Sequence, residues 1–493
     1  ELTESMSVNY PVTLDISNKA DAECILYIDT PINCYADVNI NCDYKYGDID
    51  PDSYVPNTKM LYIDSNTAIA NVYNGATLTL GDATYFGGSD EVSETLFNLY
   101  GGNIVVNDGS YILSERINAA NMFVVDPRYA EESSLVVNGG VFYGYNPESV
   151  AFGEEVKNCV PEGKGALLAW DGGHYTIKNK GTFTAASYNV DGLPNIEVNL
   201  LITKIQLNPD GPLEDGTNSI SQKLAADAWD IIAFQEDFNF HDNLISSMKN
   251  IYTFGKHRGT VGLAQLTTPA DTDGLGFATL NSTSSFANQT FVEFTDKYGG
   301  LTDGANDCIK KGFRYYLVTL AGGAQIDVYI THMNSGSKEG HINARASQFQ
   351  QLAQYIASNN NGNPVVVLGD FNARYTRDNI QTNFHNNLGA FAEYLSDAWV
   401  ELVDKYYFNG ECPYPAGVYP KSGSSLVVED KYDPNNEVND IKCTQQGGEV
   451  VDKIIYMNNP SSDVLIYADS FERDMDYTEA DHTPVVSEFT YYY

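Results

Sequence analysis

A recurring unit in the first 180 residues constrains the fold more than any other feature of the chain. Each copy reads as a short alternating strand, a turn of Gly, Asn or Asp, and a second short strand. The copies are NGATLTLGDATYF from Asn74, GGNIVVNDGSYIL from Gly101, SSLVVNGGVFYG from Ser133 and GGHYTIKNKGTFT from Gly172. Recurrence at roughly 25–40 residues is typical of solenoids, whose units bury their apolar faces on one another. We therefore predict an all-β domain over residues 1–180, a short parallel β-helix or solenoid-like stack, with a sandwich of hairpins as the alternative.

From residue 181 onward, strand-like and helix-like segments alternate. TFTAASYNV, IIAFQE, AQIDVYITHMN and PVVVLGDFN have the composition of buried strands. Between them, residues 219–230 predict a helix that begins at a Ser N-cap, and residues 342–358 predict an amphipathic helix. Alternation of this kind indicates a layered α/β domain over residues 181–493.

The balance of charge narrows the class of partner. The formal net charge is −38, with 28 Lys and Arg against 66 Asp and Glu. Such a chain lacks the broad basic face that phosphate backbones require, and its acidity is typical of a soluble secreted or surface protein. No apolar run approaches the ~20 residues that span a bilayer, so we expect no transmembrane segment. The chain starts at Glu1 rather than Met, which predicts a processed start, and we expect a bacterial secreted or surface protein.

Seven cysteines leave the redox compartment open. None forms a CxxC pair, so a cysteine zinc site is not expected. The pair Cys412–Cys443 is the first choice for a disulfide, and buried free thiols are the alternative.

Polar side chains follow the predicted strands of the second half. They are Asn189, Glu236, His332, Asp370 with Asn372, Asp452, and Asp481 with His482. Carboxylates and an amide are hard oxygen ligands that suit Mg²⁺ or Ca²⁺, and histidines serve as general base or acid near neutral pH. The set fits the attack of water on a phosphate ester, whose oxygens must be neutralised in the transition state.

The motifs SYNVDG, FQE, THMN, GDFN, VVDKIIY and DHTPV occur in this order. As a set they resemble the endonuclease/exonuclease/phosphatase superfamily, the metal-dependent fold shared by DNase I and neutral sphingomyelinases. The resemblance covers residues ~183–490 and implies a four-layered α/β sandwich, DNase I-like, with the active site at one edge of two packed sheets.

The resemblance also implies roles on the metal and phosphate side. Glu236 would be the main ligand of Mg²⁺, with Ca²⁺ or Mn²⁺ as alternatives, and Asn189 would lie beside it. Asp481 would assist at the metal. Asp370 and Asn372 would hold and polarise the phosphate and the nucleophile.

The resemblance also implies that the two histidines carry out proton transfer. His482 would be the general base, oriented by Asp452, although VVDKIIY lacks the Arg or Ser that often precedes this Asp in the family. His332 would stabilise the phosphoryl oxygens or protonate the leaving group. Lys311 and Arg374 are the predicted substrate-binding residues.

Three further stretches resemble the sphingomyelinase-like branch: RGTVGLAQLTT (258–268), NDCIKKGFRYYLVTL (306–320) and HINARASQFQQLAQYI (341–356). The few basic residues near the site suffice for one phosphate head group and are sparse for a duplex; they are Lys256, His257, Arg258, Lys310, Lys311, Arg314 and Arg374. We therefore expect a phosphodiesterase that favours a phospholipid head group over nucleic acid.

Two other functions stay open from the sequence. One is a DNase I-like endonuclease, and the other is a surface protein with an idle catalytic domain that contacts cell-surface glycans through its first domain. The polar segment 408–446 is either a substrate-shaping loop or a tolerated surface insertion.

Overall fold

The structure is a computed structural model of the chain. It describes residues 6–15, 24–28, 30–41, 61–65, 68–87, 95–113, 121–170, 172–199, 204–208, 210–262, 270–300, 303, 306–374, 377–403, 451–459 and 461–493. The chain divides into two compact units, Glu1–Lys180 with Tyr492, and Gly181–Tyr491 with Tyr493.

The first unit is built from short strands that each pair with the third strand further along the chain. Three ladders result, β1–β4–β7–β10–β13, β2–β5–β8–β11–β14 and β3–β6–β9–β12–β15, and every pairing within them is parallel. Their bounds are β1 Met6–Val8, β2 Val12–Asp15, β3 Cys24–Ile28, β4 Ile32–Cys34, β5 Val38–Asn41, β6 Leu61–Ser65, β7 Ala70–Tyr73, β8 Thr77–Leu80, β9 Thr84–Gly87, β10 Phe97–Tyr100, β11 Asn103–Val106, β12 Ser110–Leu113, β13 Phe123–Val125, β14 Ser134–Val137 and β15 Val141–Tyr143. Hairpins would pair consecutive strands antiparallel, and among these fifteen strands no such pairing occurs.

In-register stacking explains why similar residues recur along the first unit. Buried rings of Tyr85, Tyr111 and Phe142 stack face to face with centroids 4.8 Å apart at each step. Side-chain amides form a second ladder by hydrogen bonds of 3.0 Å, from Asn71 to Asn33 and from Asn98 to Asn71. Each repeat therefore places a similar side chain next to its counterpart in the neighbouring repeat.

The pattern changes after β15. Strands β16 (Val150–Phe152) and β17 (Glu155–Lys157) pair antiparallel, and β18 (Lys164–Leu168) pairs antiparallel with β19 (His174–Asn189). The copy that begins at Gly172 thus forms part of one long strand, and the turn expected within it does not occur.

The second unit contains two sheets. The later residues of β19 pair parallel with β22, and the same sheet includes β23, β24, β31, β32 and β33. The other sheet has the order β25–β26–β27–β28–β30–β29, in which β27 and β28 are parallel. Strand bounds are β20 Ile196–Asn199, β21 Lys204–Leu207, β22 Ile231–Gln235, β23 Tyr252–Phe254, β24 Gly276–Leu280, β25 Ser284–Glu293, β26 Gly312–Leu320, β27 Gln325–His332, β28 Val365–Asp370, β29 Leu395–Asp397, β30 Asp452–Met457, β31 Leu465–Ala468, β32 Glu472–Arg473 and β33 Val485–Tyr492.

Helices cover the outer faces of the two sheets. The α-helices of this unit are α1 Leu213–Asp227, α2 His241–Leu244, α3 Glu339–Asn359, α4 Ile380–Asn383 and α5 Ala398–Val403, and its 3₁₀ helices are Asn306–Cys308, Ala321–Gly323, His385–Asn387 and Gly389–Tyr394. The 3₁₀ helix Pro127–Tyr129 belongs to the first unit. Strand β22 illustrates the layering, because Ile231 and Ala233 join the large core between the sheets while Ile232 and Phe234 pack with α1. This helix–sheet–sheet–helix order agrees with the predicted DNase I-like sandwich.

One local prediction needs correction. Helix α1 begins at Leu213, six residues before the predicted Ser219 cap, because Glu214 and Asp215 in the first turn favour a helix start there. Strand β28 runs through Gly369 to Asp370. A Cβ on Gly369 would lie 2.1 Å from the Thr331 carbonyl oxygen, so the glycine permits close approach of two strands.

Some predictions concern residues beyond those that the structure describes. Segment 408–446 and the Cys412–Cys443 pair both lie there. Cys34, Cys159 and Cys308 are free thiols. Among the described residues, no helix is long and apolar enough to cross a membrane.

Candidate active site

Strand register brings the predicted site residues to one edge of each sheet. In the six-stranded sheet, His332 at the end of β27 pairs with Asp370 at the end of β28, and Asp370 pairs with Asp452 at the start of β30. In the other sheet, Asn189 at the end of β19 pairs with Gln235 at the end of β22. Five separate sequence motifs therefore meet, because four of their strands end and β30 starts at these edges.

Glu236 follows β22 in a left-handed backbone conformation, with φ of 57°. Its carbonyl oxygen accepts hydrogen bonds from the amides of Gly192 (3.0 Å) and Phe238 (2.9 Å). A Cβ on Gly192 would lie 2.5 Å from that oxygen, which explains the glycine of SYNVDG. Non-glycine residues adopt this conformation only when their surroundings hold them there, so the turn fixes where the Glu236 carboxylate points.

Asn189 links two carboxylates. Its amide nitrogen donates to Glu236 Oε1 and to Asp370 Oδ2, both at 3.2 Å. Its carbonyl oxygen accepts from the backbone amide of Asp191 at 3.1 Å. Asn189 thus bridges Glu236 and Asp370 through its amide nitrogen, and its oxygen accepts one hydrogen bond; its predicted place beside Glu236 at the metal stays a prediction.

Asp370 and Asn372 form a compact pair behind the site. The Asn372 backbone amide donates to Asp370 Oδ1 at 2.8 Å, and its side-chain amide donates to Oδ2 at 3.1 Å and to the Met333 carbonyl at 3.3 Å. Asn372 has φ of 50°, which asparagine tolerates better than most residues. The GDFN turn thus locks both side chains into fixed orientations.

His482 pairs with Asp452 through Nδ1 and Oδ2 at 2.8 Å, and both side chains are buried. Burial opposes the charged imidazole, yet the charge and hydrogen bond of Asp452 outweigh it and raise the pKa of His482 well above its usual value. Nε2 lies 4.0 Å from both Asp370 Oδ2 and Asp481 Oδ1, beyond hydrogen-bond distance. Asp481 itself is 62% exposed.

His332 has the opposite electrostatics. Burial lowers its pKa well below the usual value, and the positive charges of Lys311 and His482 add to this effect. Nε2 lies 3.5 Å from Asp370 Oδ2 and 4.0 Å from Glu236 Oε1. Nδ1 is buried and has no hydrogen-bond partner among the described residues. The imidazole is therefore neutral at neutral pH and carries one N–H donor.

Buried carboxyl groups crowd this edge. Burial raises the pKa of Glu236, and it raises the pKa of Asp370 to about 6 and of Asp191 to about 8, with the charges of neighbouring carboxylates adding to the shifts of all three. Crowded oxygen donors of this kind favour a hard divalent cation, which would relieve their repulsion. Asp370, Asp452 and His482 also offer three ligand atoms within 4.8 Å of one another. The residues present therefore fit a divalent ion held mainly by carboxylate oxygens.

The predicted basic residues occupy different environments. Lys311 is buried, and its ammonium donates to the Met333 carbonyl at 2.7 Å. Burial lowers its pKa to about 8, against the attraction of Asp370 and Glu236. Lys311 thus supports the site from behind and does not line an open surface. Arg374 is half-buried, and its backbone amide donates to Asp378.

Arg314, also among the basic residues noted near the site, forms a buried ion pair with Asp273 at 2.7 Å. Lys310 and Arg258 both pair with the exposed Asp271. Most of the predicted basic set is therefore committed to internal partners.

A supporting network around Arg345 was not predicted from the sequence. This fully buried guanidinium donates to the carbonyls of Asn334 (2.8 Å) and Gly336 (2.7 Å) and to Asp378 Oδ1 (2.8 Å). Gln348, one helical turn later, accepts from the Asn334 backbone amide at 2.9 Å. The Arg-x-x-Gln spacing of α3 was visible as a resemblance, but the loops it holds were not.

Comparison with known proteins assigns the class. The profile of the endonuclease/exonuclease/phosphatase family matches residues 186–460, more than half of the chain. The chain belongs to this family, and the predicted membership is confirmed.

Among characterised relatives, the chain is similar to sphingomyelinases of Mycobacterium bovis and Mycobacterium tuberculosis, with 31% identity over 261 residues. The match covers 50% of this chain and 47% of the relatives, so the chain spans about half the length of the curated relatives it matches.

Similar solved structures include a D. rerio TDP2 bound to a single-stranded DNA product (17% identity, TM-score 0.40, 62% of this chain and 98% of that chain). Sphingomyelinase C of Streptomyces griseocarneus is another (15% identity, TM-score 0.37, 62% and 99%).

Proposed function

We propose that the second unit is a Mg²⁺-dependent phosphodiesterase that releases the phosphorylated head group of a sphingomyelin-like phospholipid. The observation that carries this proposal is the buried constellation at the sheet edges, where Asn189 bridges Glu236 and Asp370 and the pair His482–Asp452 faces Asp370. Its elements are those that hydrolysis of a phosphate diester requires: oxygen ligands, a base, and a neutral donor.

Glu236 is the main proposed ligand of Mg²⁺, with Asp481 assisting at the open side. When bound, the ion would neutralise the charge that develops on the phosphoryl oxygens. Asp370 and Asn372, already fixed to each other, orient the attacking water and the phosphate. Asn189 keeps Glu236 and Asp370 in register through its amide nitrogen, a positioning role that leaves its predicted place beside the metal open.

In its deprotonated form His482 accepts the proton of the attacking water through Nε2, since Nδ1 is engaged by Asp452. Because Asp452 raises the pKa of His482, we expect this form, and with it the rate, to increase toward alkaline pH. The new bond joins the water oxygen to phosphorus, the bond from phosphorus to the lipid oxygen breaks, and the released alkoxide takes a proton from solvent to give the lipid alcohol. His332 is neutral, so between its two suggested roles we favour hydrogen-bond donation to a phosphoryl oxygen over protonation of the leaving group.

The similarity to mycobacterial sphingomyelinases supports a lipid head group over DNA, and so does the net charge of −38. The experiment compares three substrates in parallel: sphingomyelin vesicles, phosphatidylcholine vesicles and supercoiled plasmid, each with Mg²⁺ and with EDTA. We expect Mg²⁺-dependent release of phosphocholine, faster from sphingomyelin, and intact plasmid. Plasmid nicking without head-group release would replace this proposal with the endonuclease, and no activity on any substrate would favour an idle domain.

The proposal extends to organisation and location. We propose two domains, residues 1–180 and 181–493, the first a short parallel β-helix, in support of which its described ladders are parallel. We also propose a secreted or surface location in a bacterium, which the bacterial relatives support. Contact of the first domain with surface glycans stays a prediction.

A further inference from the structure

A second group of metal-binding side chains lies next to the proposed active site. Asp237, His241 and His257 each offer one ligand atom, and the three atoms lie within 4.8 Å of one another. Asp237 follows Glu236 directly, His241 opens α2, and His257 lies three residues after β23. The proposed hydrolysis makes no use of these side chains.

The contacts within the group resemble those of a metal site, in which hydrogen bonds hold the ligand side chains in place. Asp237 Oδ2 lies 2.8 Å from His241 Nδ1, and the two imidazole rings stack with centroids 4.0 Å apart. His257 Nε2 lies 3.0 Å from the Asp237 carbonyl oxygen. If Nε2 carries the proton, as that contact requires, the lone pair resides on Nδ1. Metal-bound histidines typically donate their other ring N–H to a backbone carbonyl or a carboxylate in this way.

The surroundings hold the group in place and leave space for the buried carboxylate. A Cβ on Gly276 would lie 2.6 Å from Asp237 Oδ2, so the glycine keeps room beside that oxygen. Asn239 exchanges two hydrogen bonds with the backbone of Val261, at 2.8 and 3.0 Å, and so ties the His257 segment to the segment of Asp237. Both histidines are half-buried, which leaves an approach from solvent.

Charge near the group favours a cation. The buried Asp237 and the exposed Asp242 both face His241, and the guanidinium of Arg314 is the opposing positive charge. Arg314 is itself paired with Asp273 through hydrogen bonds of 2.7–3.0 Å, so its charge is largely compensated.

We propose that Asp237, His241 and His257 bind a transition-metal ion such as Zn²⁺ at a site distinct from the oxygen-rich Mg²⁺ site. Two imidazole nitrogens and one carboxylate oxygen are a ligand set that suits Zn²⁺ and not Mg²⁺. Two ligands of one zinc ion lie at most about 4.2 Å apart. The three ligand atoms lie within 4.8 Å of one another, so a small rotation of the half-buried imidazoles brings them to binding distance. The ion fastens α2 and the His257 segment to the residue that follows Glu236.

The test measures Zn²⁺ affinity and thermal stability of the full chain, and neither readout depends on the proposed hydrolysis. The metal-stripped protein is titrated with Zn²⁺ calorimetrically in excess Mg²⁺, which occupies the oxygen-rich site. We expect one tight equivalent and a rise in Tm for the wild type. In His257→Gln and His241→Gln the affinity should fall by about 100-fold or more, because losing a ligand costs at least as much as losing its supporting contact.

Two control variants locate the ion. His174→Gln removes a histidine of the first unit, and His482→Gln removes the histidine of the other metal-binding group; both should keep wild-type Zn²⁺ affinity and the rise in Tm. Circular dichroism checks that each variant is folded, and His257→Gln decides if His241→Gln does not fold. Equal affinity of wild type and His257→Gln, loss of the tight equivalent in His482→Gln, or no tight equivalent in the wild type would each overturn the proposal.

Discussion

Arg345→Met should destabilise the second unit by removing a buried cation while keeping a similar volume. The wild-type guanidinium makes hydrogen bonds of 2.7–2.8 Å to Asn334, Gly336 and Asp378, and neither the Arg345 nor the Asp378 side chain is more than 4% exposed. Removing one partner of a buried ion pair costs about 3–5 kcal/mol. Asp378 keeps two other partners at 2.9 Å, the Arg377 side chain and the Arg374 amide, which places the expected loss near 3 kcal/mol.

The same change should slow catalysis, because Asn334 and Gly336 follow His332 closely in the chain and Asp378 follows Asn372. We expect kcat to fall more than KM rises, since the affected groups act on the transition state. Arg345→Lys keeps the charge without the planar fork, so its stability and kcat should lie between those of the wild type and Arg345→Met.

Urea unfolding and thermal scans of the full chain measure the loss of stability. A loss of about 3 kcal/mol corresponds to a fall in Tm of roughly 5 °C in a unit of this size. Arg128→Met is the matched control, because Arg128 is exposed and forms its ion pair with Asp126, two residues away; its Tm should equal that of the wild type within error. An Arg345→Met protein within 1 kcal/mol of wild type would refute the reasoning that Arg345 holds the two loops.

Three further changes test separate parts of the site. In EDTA, Asp452→Asn should lower the free energy of unfolding most below pH ~6.5, because the raised pKa of His482 makes its charged pair with Asp452 stabilising there. The difference from the wild type should fade as the pH rises through the pKa of His482 in the folded protein. Urea unfolding across pH checks this, and an equal loss at every pH would contradict it. His332→Gln should lower kcat by about 10²–10³-fold while leaving the shape of the pH–rate profile between pH 6 and 9 unchanged, because His332 is neutral throughout; a lost inflection would show instead that it titrates in catalysis. Gly369→Ala should lower the free energy of unfolding by about 1–3 kcal/mol, because its Cβ would lie 2.1 Å from the Thr331 carbonyl oxygen. Gly300→Ala, whose Cβ would have no atom within 4 Å, should leave it unchanged in the same unfolding assay. Equal stability of the two variants would refute the close approach of the two strands as the reason for Gly369.

Much of the second unit could be predicted because its strands carry their own signals. IIAFQ and VVVLGD are apolar runs of strand length. The polar residues at their ends predicted Glu236 and Asp370 as site residues without knowledge of which strands pair. The strand register that places His332 beside Asp370 and Asp452 was implied only by the family resemblance, since nothing local in a strand specifies its neighbour.

Long-range contacts explain what the sequence could not supply. The orientation of the Asn189 amide depends on the Asp191 backbone and on a carboxylate 181 residues away, so its role as a clamp was invisible. Lys311 was predicted as a substrate contact from its charge and position, but its burial beneath Met333 is a tertiary fact. The absence of a CxxC pair predicted no cysteine zinc site. Asp237, His241 and His257 come from separate elements, so their proximity could not be predicted from the sequence.

In the first unit, the turn residues and the alternation predicted strands, and the choice between hairpins and stacked rungs depended on which strands pair. The third-neighbour pairing rests on in-register columns such as Tyr85–Tyr111–Phe142, which a single copy of the repeat does not reveal. The last copy departs because its chain pairs antiparallel with β15 and β18.

The most direct test of the central claim is phosphocholine release from sphingomyelin vesicles by the wild type, Glu236→Gln and His482→Gln, with His174→Gln as the matched control outside the site. We predict Mg²⁺-dependent release by the wild type and the control, and rates at least about 10²-fold lower for both site variants. Release that persists in EDTA, or site variants that match the control, would contradict the assignment of this constellation as the hydrolytic centre.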